Sequence, residues 1–252
     1  MKLQMRLSLP LLCIVICSYL ITGCSKEKSI DTTTYGNNNN NSGNGGNNGG
    51  NGGNGGNGGS SGGDTYQPMT KDSYWKYKTT GSYDIENTTT STGQKKTVNS
   101  IDYTIFKSVS TGQPAGEALY GLKDHNYYMY AEGQSPQGAG FSFNILYLND
   151  TASVGYTWQH NAGQGNGFTA YTPGSIIERG LSMTVEGKNY KDVIHSRIEL
   201  QYDIPGLGVL SYMTYDYYVA KNVGVIKCDA VGDPFLIPGF STVTSLTDYS
   251  IK

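Results

Sequence analysis

The chain has 252 residues, a net charge of -2, 35 Gly and 21 Tyr. So even a balance excludes the basic face that phosphate neutralisation needs, so no nucleic acid is expected as partner, and it excludes charge-driven binding to anionic lipid.

Lys2 and Arg6 precede an apolar stretch over 7–21, which ends in Ile21-Thr22-Gly23-Cys24. A basic start, a short apolar stretch and small residues before a cut make a secretory signal over 1–23. The stretch is roughly 15 residues, short of the ~20 that a spanning helix needs. Ile21-Thr22-Gly23-Cys24 resembles the bacterial lipobox. The resemblance implies a lipoprotein whose mature first residue is an acylated Cys24, held by its acyl chains in the cell envelope, at the outer membrane. Lys26 and Lys28 depart from the acidic cluster of surface-export signals, so the membrane face stays open. Cys13 and Cys17 leave with the signal. Cys228 then remains as the one thiol outside the anchor, so the fold has no internal disulfide to rest on.

Residues 24–63 form the anchor and a tether. From 36 to 63 the chain is almost pure Gly and Asn, with no apolar group to bury. Such a segment cannot offset its conformational entropy and is expected to be disordered. A coil of this length spans about 30 Å.

Residues 64–252 read as a single antiparallel β domain. No window keeps a 3.6-residue period free of Gly, Pro or β-branched runs, whereas period-two alternation rich in Tyr, Val, Ile and Thr recurs. The predicted strands are 74–85, 101–109, 118–123, 126–131, 141–149, 176–185, 192–203, 208–220, 224–229 and 241–251. Turns fall at 123–126, 185–190, 205–208 and 220–224, several around a Gly suited to positive φ. Short turns between successive strands predict a meander. With no helix to cover a face, the all-β sheet must form a barrel, a half-barrel or a two-sheet sandwich.

Three stretches resemble uncharacterised cell-envelope lipoproteins of Bacteroidota. They are the opening Tyr66-Gln67-Pro68-Met69 with Tyr74-Trp75-Lys76-Tyr77, the hairpin around Glu186-Gly187-Lys188-Asn189, and the late pair around Asn222-Val223-Gly224-Val225. The resemblance implies a β-rich fold like the LolA/LolB or lipocalin-type lipid carriers. It carries over no catalytic residue.

Motifs that would carry chemistry are missing from the sequence. His125, His160 and His195 are far apart and read as turn or surface residues, with no metal-ligand spacing. His195 and Ser196 are strand neighbours facing opposite ways, so they form no nucleophile–base pair. No cofactor is expected. Gly163-Gln164-Gly165-Asn166-Gly167 lacks the Lys-Ser/Thr of a phosphate loop and reads as a flexible loop. Cys228, on an apolar alternation, reads as a buried and inert thiol. In 212–218, alternation puts Met213, Tyr215 and Tyr217 on the core face and Tyr212, Thr214, Asp216 and Tyr218 opposite. Trp75 belongs to the core. Trp158, beside Tyr156 and the Gly-rich loop, is the candidate platform for a sugar.

Three functions compete. The first is a tethered, non-enzymatic module that binds a ligand or partner, such as a glycan or an envelope protein. The second is a carrier holding a lipid or other apolar ligand in a barrel cavity. The third is a hydrolase with a dispersed site. The tether reading is tested directly: deleting 36–63 should leave the thermal midpoint unchanged, and a drop of more than a few degrees would show that the segment packs on the domain.

Overall fold

A computed structural model describes residues 64–134, 140–165 and 167–252. Cys24, the signal and the tether lie outside them. Among the described residues there is no helix, and the strands are β1 (Tyr74–Gly81), β2 (Ile85–Val98), β3 (Ile101–Ser110), β4 (Gly116–Lys123), β5 (Asn126–Gln134), β6 (Gly140–Asn149), β7 (Thr157–Trp158), β8 (Asn161–Gly165), β9 (Phe168–Tyr171), β10 (Gly174–Val185), β11 (Lys188–Ile204), β12 (Gly208–Ala220), β13 (Gly224–Gly232) and β14 (Ser241–Ser250).

Every pairing is antiparallel, and the last strand pairs with the first: Trp75 lies opposite Tyr249 and Gly81 opposite Thr242. β7 with β8, and β9 with β10, each act as one interrupted strand. Both β9 and β10 pair with the same edge of β11, and β11 pairs on its other edge with β12. The result is a closed up-and-down barrel of 12 strands. Of the three architectures open to the sequence, this is the barrel.

Alternation decides what fills it. Trp75, Phe106, Tyr127, Met129, Ile145, Tyr147, Ile198, Leu200, Tyr215 and Tyr217 belong to one buried cluster. The outer positions of β1 are Lys76 and Lys78, both exposed. On β1 the alternation is thus apolar inside and charged outside, while a smaller apolar cluster of Ile101, Tyr103, Leu119 and Tyr130 packs separately from the interior one. Two interior Tyr hydroxyls reach partners across the barrel: Tyr77 donates to the Val225 carbonyl at 2.9 Å and Tyr127 to Asp150 at 2.8 Å. Burial pushes the Tyr127 phenol up to about 12, so it stays a neutral donor.

Both mouths are closed. Gln67 and Pro68, ahead of β1, are buried at one end, where the Trp75 indole donates to the Val223 carbonyl at 2.6 Å. At the other end the β13–β14 loop puts Ile237 and Phe240 into the core. The cavity that remains among Tyr77, Tyr120, Tyr217, Cys228 and Thr244 is about 40 Å³. That is room for two or three waters. Cys228 is therefore half-buried and turned inward.

The wall has one gap. β6 pairs with β8 only over Phe141–Phe143, and beyond it side chains replace the ladder. The His160 ring bonds the Asn144 carbonyl at 2.8 Å, Ser196 donates to the Tyr147 carbonyl at 2.6 Å, and Arg179 donates to the carbonyls of Asp150 and Ala152. Each satisfies a backbone acceptor that burial would otherwise leave costly.

Four readings change. The strand expected over 74–85 ends at Gly81, and Ile85 opens β2, which the sequence reading missed. β2 turns Asn87, Thr89 and Ser91 inward, so beyond Ile85 its core face has only small polar residues to mark it. The loop expected over 163–167 is strand through Gly165, with the next strand starting at Phe168. Tyr212 is 4% exposed, not on the outer face. A bulge opposite Leu200 and Gln201 inserts it as an extra residue, and its ring meets Tyr202 edge-on at 5.5 Å.

Burial of His160 holds its pKa below the ordinary value, its hydrogen bond to Asn144 notwithstanding. The unfolded chain then binds a proton at higher pH than the fold does, so stability is complete above about pH 6.5 and falls as pH drops toward the folded value. Replacing His160 by Gln should flatten that decline in urea unfolding measured from neutral to mildly acidic pH. An unchanged slope would show that the ring is not what titrates.

Candidate binding groove

Where β7, β10 and β11 meet, the outer wall carries a groove of about 420 Å³ lined by Thr157, Trp158, Gln159, Ser175, Arg197, Glu199 and Gln201. Its existence follows from the interrupted strands. Between β9 and β10 the chain passes through Thr172 and Pro173. Pro cannot donate to a ladder, so the sheet steps here, although the Glu199 N–H still reaches the Pro173 carbonyl at 2.9 Å.

Trp158 lies opposite Gly174, and its indole covers that residue. A Cβ on Gly174 would meet the ring at 2.3 Å, so only Gly lets the indole lie flat. The Trp158 N–H is buried with no partner. An orphaned donor costs about 1–3 kcal/mol, which a purely packing aromatic would not incur. Trp158 is half-buried and packs against the core cluster. Tyr156, 47% exposed, stands 6.2 Å away with its plane tilted by 31°. The two aromatics singled out in the sequence are thus brought together, although of the two only Trp158 lines the groove.

The outward face of this sheet, opposite to the face on which the Trp158 indole covers Gly174, carries alternate residues of β11. Their partners on β12 fix them. Arg197 donates through Nε and Nη2 to the two oxygens of Asp216, both at 2.9 Å. Glu199 accepts from Gln201 at 3.0 Å and from Ser211 at 3.2 Å. Burial alone would raise the Asp216 carboxyl, but hydrogen bonds from Arg197 and His195 prevail and hold it below its ordinary value. Sequence reasoning missed Arg197, Glu199 and Gln201. Their alternation on a strand was visible, but the far side of the groove comes from β7, a two-residue strand with no signal of its own.

His195 sits beside this wall. Its Nε2 lies 2.7 Å from Asp216, its Nδ1 lies 4.0 Å from Glu178, and Tyr218 stacks on it at 4.4 Å. At 8% exposure it is buried on the outer face, not the surface residue expected. Ser196 faces inward, as alternation required. His125 is a turn residue paired with Asp150 at 2.9 Å. Among the described residues no three metal-ligating side chains cluster.

No family model matches the chain, and no curated protein does. Two solved structures are similar. One is a protein provisionally described as a lipoprotein from Parabacteroides distasonis, with TM-score 0.47 and 9% identity over 74% of this chain and 99% of that one. The other is provisionally described as an exported protein with YmcC-like fold from Bacteroides fragilis, with TM-score 0.46 and 9% identity over 73% and 97%.

The packing of Trp158 on Gly174 is directly testable. Gly174→Ala should push the indole off its seat, shift tryptophan fluorescence to the red and lower stability by about 1–3 kcal/mol, the overpacking cost. An unchanged emission maximum would mean that the ring does not rest there.

Proposed function

We propose that this chain is a lipid-anchored cell-envelope module that engages its ligand or partner on the outer wall of a filled barrel and performs no chemistry. The observation that carries this reading is the contrast between an interior void of about 40 Å³ and an outer groove of about 420 Å³. Ligand sites run to about 300–1,000 Å³, so the groove has the capacity and the interior does not. A lipid carrier would need the aromatic filling of the interior to move aside. The hydrolase reading has its best candidate in His195 with Asp216, but Asp216 takes one ring nitrogen, the other faces Glu178, and Tyr218 covers the ring. Its chain neighbour Ser196 is turned to the core, where its hydroxyl donates to the Tyr147 carbonyl. The anchored location, with the outer membrane as its seat, rests on the lipobox resemblance at Cys24.

Cys24→Ala should move the protein from the membrane to the soluble fraction of the cell without altering its unfolding. Membrane retention by that variant would overturn the anchored reading. Native mass spectrometry of the purified protein should find no stoichiometric lipid, and a lipid retained one to one would replace the module reading by the carrier.

A further inference from the structure

We infer that one end of the barrel, opposite to the end where the chain enters at Asp64, docks on the bilayer that holds the anchor, with Phe235 and Leu207 entering its apolar boundary. This rests on the reading of the chain as lipid-anchored and goes beyond it, because it assigns a second, non-covalent contact with the membrane.

The two ends of the barrel differ in kind. At the end where the chain enters, the connections carry charge at Lys71, Asp72, Asp124, Glu186 and Lys221. At the other end lie the connections 82–84, 111–115, 205–207 and 233–240. They contain no Lys or Arg, and their acids are Asp84 and Asp233. Among the described residues nine large apolar side chains stand exposed. Six of them lie in these connections or within three residues of them: Phe235 at 91%, Leu207 at 69%, Val109, Val209, Val231 and Val243. Single exposed apolar residues are ordinary on any surface. Their concentration at one charge-poor end marks an interaction site.

The two most exposed tips are held out by fixed turns. The Asp233 carboxylate accepts from the N–H groups of Phe235 and Leu236 at 2.9 and 3.0 Å, and the Ile237 N–H donates to the Asp233 carbonyl at 2.8 Å. Ile237 and Phe240 hold the same loop in the core, and Phe240 meets the Tyr83 ring of the β1–β2 turn at 6.3 Å. Phe235 is thus projected by a loop that buries its neighbours. Leu207 sits in a turn closed by its own N–H to the Ile204 carbonyl at 2.9 Å, between Gly206 and Gly208, both at positive φ. Beneath the tips, Val231 and Val243 are diagonal neighbours on β13 and β14.

A bilayer suits this shape. A rigid protein partner would need a matching pocket for each tip, whereas lipid headgroups part around projecting side chains. Aromatic and aliphatic groups without charge between them lodge at the boundary of headgroup and acyl chain. With no cation at this end, nothing recruits anionic lipid, so the contact is apolar. Reach is no obstacle. The eight residues of β1 cover about 26 Å of barrel wall. The 40 residues of 24–63, as the coil expected from their composition, span about 35 Å. The anchored chain can therefore turn this end to the membrane, and the anchor keeps the bilayer at high effective concentration.

The test is fluorescence quenching of the mature anchored protein in vesicles of phosphatidylcholine with brominated acyl chains. Phe235→Trp and Leu207→Trp place reporters at the docking end. Leu122→Trp, at a side chain 44% exposed near the other end, is the control. The emission of the parent protein, from Trp75 and Trp158, is subtracted. Bromine should remove most of the added emission at 235 and 207 and spare that at 122, equally at low and high salt. Adding Phe235→Ser to Leu207→Trp should cut the quenching several-fold at an unchanged melting temperature, since both side chains are exposed. Equal quenching at all three positions, or none at 235 and 207, would overturn the docking end. A blue-shifted emission at 235 that bromine leaves untouched would show the tip buried against protein, a second copy if the shift fades on dilution into more lipid, and would overturn the bilayer as its occupant. The intact mass of the purified protein reports acylation of Cys24 separately. An unacylated mass would remove the anchored reading and the docking with it, whereas an acylated protein with unquenched tips loses the docking alone.

Discussion

β1 meets β14 along a ladder that runs from Tyr74 opposite Ser250 to Gly81 opposite Thr242. Closing twelve strands into a ring pairs the strand edges except beside the β6 gap, but it also encloses a space wider than an eight-stranded barrel, whose side chains just fill it. Without a helix to insert, the chain must fill that space from its own strands. Large aromatics do it. Tyr127, Tyr147, Tyr215 and Tyr217 are all buried in one cluster, with Trp75 and Phe106 in contact at 5.6 Å. This accounts for most of the Tyr excess. A phenol spans more of the enclosed width than an aliphatic side chain and brings a hydroxyl that can reach a backbone carbonyl on the far side, as Tyr77 does with Val225.

Filling the inside leaves the outer face as the place where a groove can form. The ring tolerates one imperfect junction, between β6 and the interrupted strand β7–β8, because His160, Ser196 and Arg179 bind the carbonyls the ladder abandons. The same irregularity steps the outer surface at Pro173 and Gly174 and opens the groove beside Trp158. Seam and groove thus have one origin, two strands that break where their neighbours run on.

The sequence conveyed the meander well where the core face of a strand is apolar. All four turns named in advance join strands, with left-handed residues such as Asp124 and His125, or Glu186 and Gly187, where they were needed. Ambiguity grew where side chains are small. β2 buries Asn87, Thr89 and Ser91, so its inward face reads as polar. β8 runs Asn161-Ala162-Gly163-Gln164-Gly165, and Gly163 has a φ of +107° at a point where a side chain would strike the Ser142 carbonyl. That Gly was needed for close approach within a strand, and it looked like slack in a loop. Of the groove, Trp158 and Tyr156 were legible as a pair next to Gly-rich sequence. The β11 wall was not, because which residues face a groove depends on what lies across from them.

The chain enters the barrel at the end where it also finishes, and this has a mechanical meaning. Before β1 begins, Thr65 exchanges hydrogen bonds with Asn222 in the β12–β13 turn, at 2.7 and 3.2 Å, and the Tyr66 N–H reaches the Tyr127 hydroxyl on β5 at 3.1 Å. A force applied to the chain ahead of Asp64 is met first by these contacts, on opposite parts of the ring, and only afterwards by β1. Pulling β1 off the β1–β14 ladder would open the cylinder. The short segment of 65–69 therefore works as a strain relief, spreading tension over β5 and β12–β13 before any reaches the seam.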